Sequence, residues 1–174
     1  QVKQLMQDLY GMPISLGSIS NAEARVSEAI KSAHEEVSTS LQAINLPINI
    51  DETGFKQCNS SGWAWVLANK ICTYFHLSNS RGKKIAKHLL SPILAKENSM
   101  IVSDRYPAYN FIPENKHQVC WAHLKRDFQR ISEREGVVGK IGVKLLKYYR
   151  LLFKFWKTDG NTRWWFSRLM RKKR

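Results

Sequence analysis

The sequence predicts an α/β protein that combines a sheet of about five strands with flanking helices and a C-terminal helical segment. Two observations lead to this class. Apolar residues recur at three- and four-residue steps before residue 47 and then fall into short β-branched and aromatic runs. After Trp121 the helical spacing returns and lasts to about residue 157. A chain of 174 residues, 43% of them hydrophobic, is long enough for one such domain with a helical appendage.

The first 47 residues are predicted to form a helical lead-in of two helices. The first helix covers residues 2–10 and ends at Gly11, because glycine readily adopts the left-handed conformation that closes helices. The second helix starts after Ser18 or Ser20, whose side chains can cap it, and ends before Pro47. Its apolar stripe consists of Ala22, Val26, Ile30, Ala33, Val37, Leu41 and Ile44.

Residues 48–123 are predicted to form the central sheet. A turn at residues 59–62 joins the first two strands, and a helix over roughly residues 81–95 separates the third strand from the fourth. Ser80 can cap this helix, and Pro92 is expected to break or bend it. The five predicted strands are Ile48–Asp51, Trp63–Asn69, Ile71–Leu77, Met100–Ser103 and Val119–Trp121.

Residues 124–157 are predicted to be a basic helical region, followed by a divergent basic tail over residues 158–174. A short helix stops near Gly136, and the longer helix after it has two different faces. Its apolar face carries Ile141, Leu145, Tyr148, Leu152 and Phe155, and its other side carries Lys140, Lys144, Lys147, Lys154 and Lys157.

The chain is strongly basic, with 28 lysines and arginines against 14 acidic residues and a net charge of +14. Residues 111–174 alone hold 17 basic and 5 acidic side chains. This imbalance argues against an enzyme for small neutral substrates and indicates a polyanionic partner, with solvated lysines that only maintain solubility as the alternative. The residues expected to contact nucleic-acid phosphates are Arg81, Lys83, Lys84, Lys125, Arg126, Lys140, Lys144 and Lys147.

The cysteine count and the hydropathy pattern indicate a compartment. Cys58, Cys72 and Cys120 are an odd number without paired spacing, which argues against a disulfide framework. No signal peptide or apolar run of about 20 residues is present, so we expect a cytoplasmic protein without a membrane partner. The first residue is Gln1 rather than methionine, so we also expect that upstream sequence is missing or was trimmed.

Two aspartates end predicted strands. Asp51 closes the first strand, and Asp104 directly follows the fourth. If these two strands are neighbours, the carboxylates meet at one edge of the sheet and can hold Mg²⁺, which takes oxygen ligands and keeps positions for phosphate. Acidic residues after strands are also common turn formers, and on spacing alone that interpretation is the more frequent one.

Four short motifs stand out along the chain. They are Asp51-Glu52-Thr53-Gly54, Ser80-Arg81-Gly82, Ser103-Asp104-Arg105-Tyr106-Pro107-Ala108-Tyr109 and Cys120-Trp121-Ala122-His123-Leu124-Lys125-Arg126-Asp127. In this order and at this spacing they resemble the transposases of the insertion sequence sixty-six family. The resemblance covers roughly residues 8–157, including a lead-in stretch at residues 9–17. Four motifs together are far more specific than any one of them.

The resemblance implies a ribonuclease-H-like mixed sheet and a triad of two aspartates and one glutamate that binds two divalent ions, Mg²⁺ or Mn²⁺. Asp51 and Asp104 match the first two members as catalytic and metal-binding residues. The implied activity is cleavage and strand transfer of DNA at the ends of a bacterial insertion sequence. Transposon-end and target DNA are the implied partners, near the nucleoid, with homo-oligomers or mixed oligomers with a full-length transposase as a further expectation.

The third acidic residue of the triad has no match in this sequence. Glu133 and Glu135 lie too soon after the fourth motif, and the sequence departs from the family from about Thr158. We therefore expect a truncated or remnant transposase that cannot transpose by itself. Two alternatives remain: a catalytically inactive DNA-binding protein that interferes with a full-length transposase, and an intact enzyme.

Cys120 and His123 form a Cys-x-x-His motif. Tetrahedral zinc needs about four ligands, and no second pair has suitable spacing, so zinc is not expected. The resemblance implies instead a signature similar to one near the last strand of several transposase cores. We favour a structural role, with a buried thiol on the last strand and a histidine near the start of the next helix.

Overall fold

The computed structural model describes residues 1–57 and 60–159, and the chain divides into two compact units, residues 1–118 and 119–174. Strand β5 runs across the boundary between them, and two single-turn 3-10 helices, Pro107–Tyr109 and Glu114–Lys116, precede it. The longer elements are α1 (Val2–Tyr10), α2 (Leu16–Ala43), β1 (Ile48–Gln57), β2 (Ser60–Ala68), β3 (Thr73–Ser78), α3 (Lys83–Leu94), β4 (Ile101–Ser103), β5 (His117–Val119), α4 (Trp121–Ser132) and α5 (Gly136–Asp159).

The five strands form one sheet in the order β3-β2-β1-β4-β5. Strand β2 pairs antiparallel with both β1 and β3, whereas β1 and β4 are parallel. Parallel neighbours require a long connection, and here α3 lies in the segment that leads from β3 to β4. The predicted mixed sheet of about five strands with flanking helices is confirmed.

Strand β1 shows how the two faces of the sheet differ. Ile48, Ile50 and Glu52 are buried, whereas Asn49 and Asp51 between them are exposed. Successive side chains of a strand point to opposite faces, so the even-numbered residues lie on the core face. The core cluster consists of Leu41, Ile48, Ile50, Trp65, Leu67, Ala86, Leu89, Leu90, Ile93, Ile101, Ala108, Tyr109 and Ile112.

Helix α2 is long but contributes little to this core. Leu41, near its C-terminal end, is its one buried residue. Val26 and Ile30 of the predicted apolar stripe are 59% and 56% exposed.

Helix α2 begins one residue after Ser15, whose hydroxyl accepts a hydrogen bond from Ser18 N at 3.0 Å. The predicted caps at Ser18 and Ser20 are therefore wrong.

Strand β1 is longer than predicted. It continues past Asp51 to Gln57, because each of these residues is paired with β2, ending with Gln57 opposite Ser60. The predicted turn at residues 59–62 is therefore wrong for Ser60, Ser61 and Gly62, which are strand residues. Residues 58 and 59 lie outside the described residues, as does the predicted basic tail from residue 160 onward.

The start of α3 also differs from the prediction. Gly82 occupies the N-cap position, and the Ser80 hydroxyl accepts a hydrogen bond from Gly82 N at 3.0 Å. Ser80 thus shapes the turn before the helix instead of capping it. Pro92 does not end α3, which continues to Leu94.

The second unit, described by itself, is a pair of packed helices, α4 and α5. Trp121 was predicted to end the last strand, but it begins α4, and its ring lies edge-on to Phe153 at a centroid distance of 6.1 Å. Gly142 lies against the backbone of α4, where an added Cβ would come within 2.2 Å of Ser132 N. Within the described ranges, no helix is both long and apolar enough to cross a membrane.

We expect Gly142→Ala to lower the free energy of unfolding by about 1–3 kcal/mol, because the atoms in its way belong to the backbone and cannot rotate aside. Urea denaturation, followed by circular dichroism, measures the change. Gly17→Ala is the matched control, since its Cβ would meet only the Ser15 hydroxyl at 3.6 Å. The control should be neutral or stabilising by up to about 1 kcal/mol, and equal losses in both variants would contradict the close approach.

Candidate metal centre

Asp51 and Asp104 lie on neighbouring parallel strands. The pairing of β1 with β4 places Ile48 opposite Ile101 and Asn49 opposite Val102. Asp51 and Asp104 each lie two residues beyond these last paired positions. Asp104 directly follows β4, as predicted, but Asp51 is the fourth residue of a ten-residue strand and does not end it. The two aspartates therefore occupy corresponding positions at the end of the β1–β4 pairing.

Each of the two carboxylates is oriented by a backbone hydrogen bond. Glu52 N donates to Asp51 Oδ1 at 3.0 Å, and Tyr106 N donates to Asp104 Oδ1 at 2.9 Å. Asp51 is exposed and Asp104 is half-buried. One oxygen of each aspartate is thus fixed by the chain itself, while the carboxylates remain accessible from solvent.

Glu52, the neighbour of Asp51, lies on the opposite face of the sheet. Its side chain is 0% exposed, and Oε1 accepts a hydrogen bond and ion pair from Arg81 Nε at 2.7 Å. The Tyr109 hydroxyl donates to Oε2. Both oxygens of this buried carboxylate are therefore satisfied, as a buried charge requires.

Tyr109 connects Glu52 to the two aspartates electrostatically. Burial raises the pKa of the Tyr109 hydroxyl, and the hydrogen bond to Glu52 and the negative charges of Glu52, Asp104 and Asp51 raise this pKa further. The hydroxyl consequently keeps its proton and acts as a donor throughout the physiological range. Of the three carboxylates, Glu52 is the one that contacts this hydroxyl directly.

Arg81 is held by aromatic rings as well as by Glu52. Its guanidinium carbon lies 3.9 Å from the centroid of the Tyr106 ring and 5.0 Å from that of Trp63. Burial by itself lowers the pKa of Arg81. The hydrogen bond to Glu52 and the electrostatic attraction of Glu52, Tyr106 and Asp104 outweigh it and raise the pKa. Arg81 was predicted to contact nucleic acid, and the structure gives it these internal partners.

No role was predicted from the sequence for Glu52, Tyr106 or Tyr109. All three lie inside motifs that carried the family resemblance, and this membership was the signal that could have identified them. The alternation of side chains along β1 was a second signal for Glu52, because Glu52 shares the core face with Ile48 and Ile50. The structure brings the first three motifs together in a single cluster.

The donor set of Asp51 and Asp104 fits a hard divalent cation. Mg²⁺ is commonly held by one or two carboxylates and completes its shell with water and substrate phosphate. Within residues 1–57 and 60–159, no group of three His, Cys, Asp or Glu side chains is arranged to hold a metal ion. Metal binding by Asp51 and Asp104 stays a prediction.

The remaining residues predicted to contact phosphates lie on helix surfaces. Lys83 and Lys84 are exposed in the first turn of α3. In the second unit, Lys125 and Arg126 are exposed on α4, and Lys140, Lys144 and Lys147 are exposed on α5. Their contact with nucleic acid stays a prediction.

Cys120 and His123 both belong to the start of α4. Cys120 is half-buried and is the N-cap residue of α4, one position after β5, so the predicted buried thiol on the last strand is wrong. His123 Nδ1 is buried without a hydrogen-bond partner among the described residues, and the His123 side chain lines a surface pocket of about 440 Å³ with Arg126, Gln129 and Arg130. The role of the Cys-x-x-His motif stays a prediction.

Comparison with known proteins gives one match at the level of family. The model of the family described as Transposase IS66 family matches residues 1–163. No curated protein sequence matches significantly. The family match confirms the resemblance to insertion sequence sixty-six transposases. The family match agrees with the predicted ribonuclease-H-like fold. The antiparallel order β3-β2-β1 and the parallel pairing of β4 with β1 agree with it as well.

Among solved structures, two similar ones are forms of the HTLV-2 integrase catalytic core domain in complex with magnesium. The dimeric form has 15% identity over 51% of this chain and 69% of that chain, with a TM-score of 0.35. The trimeric form has 15% identity over 59% of this chain and 82% of that chain, with a TM-score of 0.36. A simian T-cell lymphotropic virus intasome has 17% identity over 67% of this chain and 43% of that chain, with a TM-score of 0.37.

Proposed function

Because this chain belongs to the IS66 transposase family, we propose that it carries part of the apparatus for metal-dependent cleavage and strand transfer of DNA. Asp51 and Asp104 are the proposed catalytic and metal-binding residues. The observation that supports this assignment most directly is their corresponding position on adjacent parallel strands. This register supports the proposal that both carboxylates bind the same cation.

The proposed metal is Mg²⁺ or Mn²⁺, with Asp51 and Asp104 as protein ligands. When bound, divalent ions of this kind activate a water molecule or a 3′-hydroxyl and stabilise the leaving oxygen of a phosphodiester. The chain itself contributes the orientation of each carboxylate through the backbone N–H groups of Glu52 and Tyr106. DNA is the proposed partner, contacted by the exposed lysines and arginines of α3, α4 and α5.

We further propose that this polypeptide alone neither cleaves nor joins DNA. The family triad requires a third carboxylate, and Glu52 does not supply it, since Arg81 and Tyr109 occupy both of its oxygens on the other face of the sheet. The proposal predicts no Mn²⁺-dependent nicking or joining of transposon-end DNA by the purified chain. Cleavage that Asp51→Asn abolishes would overturn it.

A second candidate function is a catalytically inactive DNA-binding protein that interferes with a full-length transposase, through occupied DNA ends or mixed oligomers. The concentration of positive charge in residues 111–174 favours it, because 17 basic against 5 acidic side chains suffice for binding to phosphates without sequence recognition. This candidate needs no carboxylates. Wild-type protein and the Asp51→Asn variant should then bind DNA equally well and inhibit a full-length relative equally well.

Binding of Mn²⁺ tests the proposed metal centre without requiring catalysis. We expect Asp51→Asn and Asp104→Asn each to weaken Mn²⁺ affinity by at least about tenfold, since each removes a charged oxygen ligand. Free Mn²⁺ is measured by electron paramagnetic resonance during titration. Asp8→Asn, an exposed aspartate of α1, is the matched control and should retain wild-type affinity.

Replacement of Mn²⁺ by Fe²⁺ with peroxide and ascorbate locates the site independently, because radicals cut the backbone close to the bound ion. The proposal predicts cuts near residues 51 and 104. Equal Mn²⁺ affinity in the wild type and in both aspartate variants, or cuts elsewhere in the chain, would contradict the metal centre.

A further inference from the structure

The pairing between β1 and β4 stops short of the two aspartates. The strands are paired at Ile48 with Ile101 and at Asn49 with Val102, and β4 ends at Ser103. Two carboxylates placed side by side repel each other. Contacts beyond the strand pairing can therefore contribute to the separation of Asp51 and Asp104.

A cluster of side chains spans this gap between the end of β1 and the loop after β4. The Tyr109 hydroxyl donates to Glu52, so a side chain after β4 is tied to the residue next to Asp51. Tyr106, whose N–H holds Asp104 Oδ1, places its ring against Arg81, and Arg81 in turn pairs with Glu52. Glu52, Arg81, Tyr106 and Tyr109 thus connect the two aspartates through side chains on the opposite face of the sheet.

Two members of this cluster, Glu52 and Tyr109, are almost fully buried. Glu52 is 0% exposed at its side chain, and Tyr109 is 1% exposed as a residue. The Tyr109 ring is further fixed by edge-on contacts with Trp65 and Tyr106, at centroid distances of 6.4 and 6.3 Å. Because Glu52 follows Asp51 in the strand, fixing Glu52 also fixes the backbone from which the Asp51 side chain projects.

We infer that Glu52, Arg81 and Tyr109 are positioning residues for the Asp51–Asp104 pair. They do not touch the metal or the DNA. They set the separation of the two carboxylates from the opposite face of the sheet. This inference rests on the proposed metal centre. It also gives the Ser80-Arg81-Gly82 motif a role, since the hydrogen bond from Trp65 Nε1 to Ser80 O, at 3.1 Å, anchors the turn that presents Arg81.

Tyr109→Phe is the most selective test, because it removes one hydroxyl and keeps the ring contacts. We expect the variant to bind Mn²⁺ about tenfold more weakly than the wild type, the range seen when supporting hydrogen bonds behind metal ligands are removed. Thermal unfolding is measured on the same samples, and the affinity is calculated per folded protein. Tyr74→Phe, a half-buried tyrosine stacked on His34 at 4.8 Å, is the matched control and should keep wild-type affinity.

Glu52→Gln provides a second variant, in case Tyr109→Phe does not fold. It should lower Mn²⁺ affinity to a similar extent, because a neutral amide cannot satisfy Arg81 and Tyr109 as the carboxylate does. In the Glu52→Gln background, Tyr109→Phe should change affinity by less than about twofold, since residues of one network are not additive. A purely structural role would instead lower the melting temperature and leave the affinity of the folded protein unchanged.

The outcomes separate this inference from the proposed function. Loss of Mn²⁺ binding in Asp51→Asn and Asp104→Asn, together with unchanged affinity in Tyr109→Phe and Glu52→Gln, would overturn the positioning role alone. Absence of Mn²⁺ binding in the wild type would overturn both. Weaker binding in all four variants, with the Tyr74→Phe control unaffected, supports both.

Discussion

Arg81→Met should lower the free energy of unfolding by about 3 kcal/mol, near the lower end of the range for breaking a buried ion pair. Methionine can still contact the rings of Tyr106 and Trp63, but it leaves the Glu52 carboxylate buried without a countercharge. The lower end of the range applies because the Arg81 side chain is 35% exposed, so solvent already screens part of the pair. Urea denaturation measures the loss.

The double variant Arg81→Met/Glu52→Gln distinguishes this cause from simple loss of packing. Removing the buried charge should recover at least about half of the lost stability, since the amide oxygen can still accept the Tyr109 hydroxyl. If the double variant is as unstable as Arg81→Met, the unpaired charge is not the cause. Equal stability of Arg81→Met and the wild type would show that the ion pair contributes little.

Reversing three charges on α5 should strongly weaken DNA binding. We expect the variant Lys140→Glu/Lys144→Glu/Lys147→Glu to bind duplex DNA roughly 100- to 1000-fold more weakly at 0.1 M salt, because each lost phosphate contact removes its share of counterion release. The slope of log affinity against log salt should fall by about 3. Fluorescence anisotropy at several salt concentrations measures both quantities.

A variant with the same change in net charge serves as the control. Lys3, Lys31 and Lys70 are exposed in the first unit, and replacing all three by Glu alters the net charge by the same amount. This control should lose far less affinity, since only long-range attraction is reduced. Equal losses in the two variants would assign the binding to overall charge, and an unaffected α5 variant would exclude this helix as the DNA surface.

The sequence predicted the sheet well where strand residues are β-branched or aromatic, as in β2 and β4. It missed the second half of β1, because Thr53 and Phe55 are the only β-branched or aromatic residues of 52–57 and are separated by Gly54; this segment becomes strand through pairing with β2. Tertiary pairing overrides weak local preference here. The predicted metal site depended on β1 and β4 being neighbours, and the structure pairs these strands in parallel, although Asp51 lies within β1 instead of at its end.

The cluster behind the aspartates was harder to predict. Arg81 meets Glu52 across 29 residues of sequence and Tyr109 meets it across 57, so nothing local links them. Charge alone suggested a contact between Arg81 and nucleic acid, whereas its nearest anion is within the protein. Ile48, Ile50 and Glu52 alternate along β1, so Glu52 shares a face of the strand with two apolar residues. This alternation predicts an inward-facing glutamate only if that face is known to be buried.

Helix α2 has one buried residue, Leu41, among its 28 residues. Burying one leucine contributes only about 1.5–3 kcal/mol. His34 adds a hydrogen bond between its Nε2 and Phe75 O at 2.9 Å and a ring stacked on Tyr74. Selection for folding of the core therefore acts weakly on the helix before His34, and sequence drift should be fastest there. Any residue in that stretch that resists replacement does so for a reason other than the integrity of the core.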